Sequence, residues 1–123
     1  MTVTVNDVRT FLKDLPAEFV SDDVIQKQID VATLIVNKEK SSQASSSDVD
    51  YAILVNAAVL SLMAYASEIE RSLGVASPSL TALITQLQKL ADKTLEYIKR
   101  GKSVPEPYFD VPYSLWDYAS VIG

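Results

Sequence analysis

The 123-residue chain contains neither cysteine nor histidine. Without cysteine there is no disulfide framework, no thiolate metal site and no thiol nucleophile. Without histidine the commonest general base and the commonest zinc ligand are gone, and with them every Ser-His or Cys-His pairing. Glycine is scarce: three residues, at 74, 101 and 123, are too few and too widely spaced for a loop that cradles phosphate. Acids are present, but no twelve-residue calcium loop with its internal glycine and closing glutamate surrounds them. Asp22 and Asp23 are explained as residues of a helix's first turn. A net charge of −5 argues against general binding of phosphate backbones, which runs on lysine and arginine. The opening stretch MTVTVNDVRTFL has no basic region followed by a long apolar one, so no secretory signal is expected from it. The composition therefore points to a protein without catalytic residues, cofactor or metal.

Apolar residues make up 48% of the chain, enough for one domain to bury a real core. Start and stop signals divide it into four helices, near 5–14, 22–39, 49–73 and 78–100, and the expected class is all-α, a small four-helix bundle. Thr4 and Asp7 have the spacing of a capping box, with Val3 and Val8 placed as a hydrophobic staple, and Pro16 bounds the first helix. Ser21 opens the second, with Val20 and Ile25 as its staple. Ile25, Ile29, Ala32 and Val36 repeat at helical spacing, and Val24, Val31 and Ile35 widen that row. Residues 41–48, SSQASSSD, read as an exposed polar loop before a third helix capped by Ser47 or Asp48 and stopped by Gly74. Ser77 and Pro78 open the fourth helix and Gly101 stops it. The core is expected around Ile29, Val36, Ile53, Val59, Leu62, Leu83, Leu87 and Leu90.

Tyr51 to Ala66 is apolar but for Asn56 and Ser61, and its 16 residues fall short of the roughly 20 that span a bilayer. Acids flank it and no basic cluster marks one side, so a central buried helix is the better account and no membrane partner is expected. Helices three and four carry more apolar positions than one inward face needs, and Leu62, Met63 and Tyr65 cannot all point inward. A homo-oligomer would cover the excess.

Charge is uneven. Residues 89–102 hold five bases against two acids, whereas 103–123 hold three acids and no base. Lys89, Lys93, Lys99, Arg100 and Lys102 are either cations suited to a helix C-terminus or a weak, sequence-independent DNA contact. The stretch from 103 onward contains half of the aromatic residues and three of the five prolines. The prolines forbid a regular helix, and disordered tails are poor in aromatics, so this arm should dock on something. Tyr108, Phe109, Tyr113, Leu115, Trp116 and Tyr118 are the candidate partner-binding residues, directed at another chain or at the arm's own helices. The expected organisation is a helical domain over 1–102 and an extended C-terminal arm over 103–123.

One likeness extends over roughly residues 4–70. Thr4-Val5-Asn6-Asp7-Val8 leads into Phe11-Leu12. Asp22-Asp23-Val24-Ile25 and Ile29-Asp30-Val31-Ala32 follow, then a polar loop, then Ala52–Ala66 with Ala57-Ala58 and Ala64-Tyr65. This order of helix lengths and residue types resembles the small head–tail connector, or adaptor, proteins of tailed phages and prophages. The resemblance implies a virion neck protein assembled in the host cytoplasm. Its subunits would form a ring, typically of twelve, docked beneath the portal protein, extending the DNA channel and presenting a platform to the next tail or stopper component. Two other classes fit the same residues: a stand-alone helical module or small regulator that binds one protein, and a holin-like membrane protein.

Overall fold

The computed structural model describes residues 3–13, 15–17, 19–74 and 78–101. These form four α-helices and no strand: α1 (Val5–Phe11), α2 (Asp22–Glu39), α3 (Ser46–Leu73) and α4 (Pro78–Lys99). The all-helical class read from the sequence is observed. The arm over 103–123 lies outside the described residues, as do Lys102 and the expected N-cap Ser77.

Helix α3 is the axis of the molecule. It packs against α1, α2 and α4, and α2 also touches α4. Its 28 residues run unbroken through the apolar stretch. Ala52, Val55, Ala57, Ala58 and Leu62 are fully buried, so small side chains let neighbouring helices approach from several sides. Among the described residues α3 is the one helix long and apolar enough to cross a membrane. Most of that stretch is buried within the protein itself. All eight expected core residues are buried.

The caps explain where the helices begin. Thr4 Oγ1 accepts the Asp7 amide at 3.2 Å while Asp7 Oδ2 accepts the Thr4 amide at 2.9 Å, which completes the capping box. Val3 and Val8 are both buried, as their staple requires. Ser21 accepts the Val24 amide at 3.3 Å at the start of α2. The start of α3 differs from the sequence reading. Ser45, not Ser47 or Asp48, is the N-cap, accepting the Asp48 amide at 3.1 Å. Residues 46–48 are consequently helical, and the polar connection shrinks to 40–45.

Helix α1 is also shorter than expected, ending at Phe11 rather than near 14. Lys13 adopts φ 53°, the left-handed region, which costs a non-glycine residue about 1 kcal/mol. The reversal it produces brings the chain back under Arg9. The Arg9 guanidinium donates to the carbonyls of Leu15 at 2.7 Å and Val20 at 2.8 Å, and pairs with Asp22 Oδ1 at 2.8 Å. One side chain thus ties α1, the connection and the first turn of α2 together.

Candidate functional site

Two surfaces of the body bear on partner binding. The first is the outer face of α2. At 100° per residue, Lys27, Val31, Leu34 and Lys38 fall on the side away from Ile25, Ile29, Ala32 and Val36, and Ile35 lies at the flank between the two sides. The inner four are buried, whereas Val31, Leu34 and Ile35 are 43%, 72% and 36% exposed. Val24, in line with them, is half-buried. Of the row expected to widen the buried stripe, Val24 does pack against the core, whereas Val31 and Ile35, with Leu34, form an aliphatic strip left exposed, with an exposed lysine at either end.

The excess of apolar residues therefore sits elsewhere than the sequence suggested. Leu62 and Tyr65 both enter the core, and Phe19 packs edge-on to the Tyr65 ring at 5.7 Å. Among the described side chains, only Met63 on α3 is a large apolar residue left exposed, and none is on α4. Leu34, which the sequence reading passed over, is the most exposed large apolar residue among the described ones. Its signal was available: it lies half a turn from the Ile25–Val36 row, where a one-sided helix has no neighbour to offer.

The second surface is the outer side of α4. Lys89, Lys93 and Arg100 share one side of the helix, opposite the buried Leu83, Leu87, Thr94 and Ile98. Glu96 stands among them and binds Arg100 at 2.8 Å. Lys99 points elsewhere, toward Glu39 on α2 at 3.9 Å. The structure thus brings together Lys89, Lys93 and Arg100, partly neutralises that group, and separates Lys99 from it. Lys102 and the six arm residues Tyr108, Phe109, Tyr113, Leu115, Trp116 and Tyr118 lie outside the described residues.

Where the arm leaves the body is well defined. The Ser41 amide donates to the Ile98 carbonyl at 2.9 Å, joining the end of α2 to the end of α4. Gly101 follows at φ 70°, and a Cβ there would meet Gln43 Cβ at 2.9 Å. Glycine is required at this position both by the left-handed backbone and by the closeness of the 40–45 connection.

A groove of about 780 Å³ opens between α1 and the first turns of α3, with Val3, Phe11 and Leu54 as apolar wall and Asp7 and Asp50 as acidic rim. The buried polar pair Asn56 and Thr94 joins α3 to α4: Asn56 Nδ2 donates to the Ala52 carbonyl at 2.7 Å and reaches Thr94 Oγ1 at 3.4 Å. Thr94 in turn donates to Ala91 at 2.6 Å, so the pair is satisfied internally. Among the described residues no cluster of acidic side chains could hold a metal ion. On the exposed end of α3, the hydrogen bond and charge of Glu68 raise the Arg71 pKa further above its ordinary value. An arginine is charged at physiological pH in either case, so no pH response follows.

Comparisons with family models, with curated proteins and with solved structures give no match to this chain.

Proposed function

We propose that this chain is a structural assembly subunit, a head–tail connector of a tailed phage or prophage that packs side by side into a ring beneath the portal protein. The observation that carries the reading is the aliphatic strip Val31, Leu34 and Ile35, left outside an otherwise well-filled core. A row of this kind is what a neighbouring subunit covers in a closed ring. The order of residue types over 4–70 supplies the particular family. In this reading the body forms the ring wall, and the arm, through Tyr108, Phe109, Tyr113, Leu115, Trp116 and Tyr118, engages the portal or the adjacent subunit. Lys89, Lys93 and Arg100 contribute at most a weak contact to DNA passing through the channel, one that falls steeply with salt.

The decisive experiment mixes the purified chain with a portal protein from the same phage or prophage and images the product by electron microscopy. A ring of added density beneath the portal, lost when the chain is truncated after Lys102 although helicity and Tm persist, is the expected result. No association with the portal, or full association of the truncated chain, overturns the reading. In the first case, a stoichiometric complex with a different single protein would support the stand-alone binding module.

A further inference from the structure

We infer that two copies of the unassembled chain pair through the exposed side of α2, antiparallel, across a two-fold axis at Leu34. The occupant of the aliphatic strip is the same strip on a second copy. The pairing rests on the body alone and needs no portal; in the ring of the proposed function a neighbouring subunit takes its place.

The strip is apolar in the middle and charged on either side. Leu34 is its most exposed member, beside Val31 and Ile35. One turn back, about 6 Å along the axis, stands Asp30, and one turn on, at the same distance, stands Lys38. Both are exposed, and both share the side of the helix on which Leu34 lies. Gln26 Nε2 donates to Asp30 Oδ1 at 3.1 Å and steadies that carboxylate on the helix surface. An acid and a base at equal distances on opposite sides of a leucine form a pattern that complements itself when one copy is reversed. In the antiparallel pair each Asp30 lies level with Lys38 of the other copy, and two ion pairs flank the apolar centre. In a parallel pair acid would meet acid and lysine would meet lysine, which is unfavourable.

The remaining charges of this side agree with the same arrangement. Lys27, about 10 Å before Leu34, comes level with residue 41 of the other copy, just past the C-terminus of that copy's α2. The helix dipole favours a cation there. Asp23 lies one turn further out, beyond the end of the other α2 and four residues from its own Lys27. Glu39 is turned to Lys99 on α4, 3.9 Å away, and Lys40, the C-cap, falls away from the strip at 100° per residue. Asp23 and Asp30 thus balance Lys27 and Lys38, and two copies approach without net repulsion.

The two-fold axis also keeps Val31 and Ile35 of both copies on one side of the Leu34 pair, so six aliphatic side chains meet and leave water. Closed two-fold contacts of this kind are the commonest among homo-oligomers. A contact made by one helix per copy falls below the roughly 1,200 Å² of stable complexes, so the pairing is weak and reversible, as a contact released on assembly has to be.

The test is sedimentation equilibrium of the isolated full-length chain. The expected result is a monomer–dimer equilibrium whose dimer fraction falls on dilution. Leu34→Asp should weaken it by about tenfold or more, with far-ultraviolet circular dichroism and Tm preserved. Asp30→Lys and Lys38→Asp should each weaken it severalfold, most at low salt, and the two together in one chain should restore it. A chain still monomeric at ~1 mM overturns the inference, as does association indifferent to Leu34→Asp. A doubly exchanged chain that pairs no better than the single variants also overturns it, because acid and base then do not face each other. Association that continues past the dimer overturns it by assigning the strip to a different surface of the next copy. Ring formation on the portal is read separately, so either reading can fail without the other.

Discussion

Helix α2 carries two aliphatic rows, and the same residue types meet opposite fates on them. Ile25, Ile29, Ala32 and Val36 are no more than 4% exposed, because α3 lies along that side. Val31, Leu34 and Ile35, on the other side, are left 43%, 72% and 36% exposed. Hydrophobicity alone does not distinguish the rows. What separates them is that α3 is wide enough in small residues to receive α1, α2 and α4, whereas α2 has only one helix beside its whole length. The inner row is what stabilises the body, and the outer row is what the body presents.

The sharpest way to test that contrast is to remove a core side chain. Leu87→Ala, at a fully buried position facing α3, should cost about 2–5 kcal/mol in a urea titration. A loss under about 0.5 kcal/mol would show that the inner faces do not hold the fold. Next comes the join between α1 and α2. Arg9→Ala removes charged hydrogen bonds to the Leu15 and Val20 carbonyls and should cost about 2 kcal/mol. Hydrogen exchange should rise first in residues 12–21, before α3 is affected. Glu39→Gln breaks the 3.9 Å contact to Lys99, an exposed pair, and should change stability by less than about 1 kcal/mol, and less again at high salt. The smallest effect is expected on the outer row. Leu34→Ser should leave the stability of the body within about 0.5 kcal/mol of the parent, while altering whatever contact that face makes. A loss of several kcal/mol there would erase the distinction between the rows.

The helices were legible because their signals are local. Thr4 with Asp7, Ser21 with Val24, and Gly74 each act within one turn, and the structure shows each in place. The inner rows were legible because a 3.6-residue period survives in the sequence. Other features depend on residues far apart. Competing serines at 45 and 47 leave the start of α3 ambiguous until packing selects Ser45. The end of α1 is set by a reversal at Lys13 that Arg9 holds from outside the turn, and nothing in the short-range pattern marks an arginine as the grip on two carbonyls. The exposure of Leu34 depends on how many helices surround α2, a property of topology rather than of the segment. The basic cluster on α4 was legible as composition, but the intervention of Glu96 and the turning away of Lys99 appear only once the helix is built.

The bond from the Ser41 amide to the Ile98 carbonyl has a kinetic consequence. Each neighbouring pair, α2 with α3 and α3 with α4, is a helical hairpin whose contacts are close in sequence and close quickly. Ser41 and Ile98 meet only after both hairpins have formed and aligned, so their bond acts as a latch that closes late. A latch absent from the folding transition state governs how fast the protein opens rather than how fast it forms. It also sits beside Gly101, where the arm departs, so a pull on the arm is delivered first to this bond between the ends of α2 and α4.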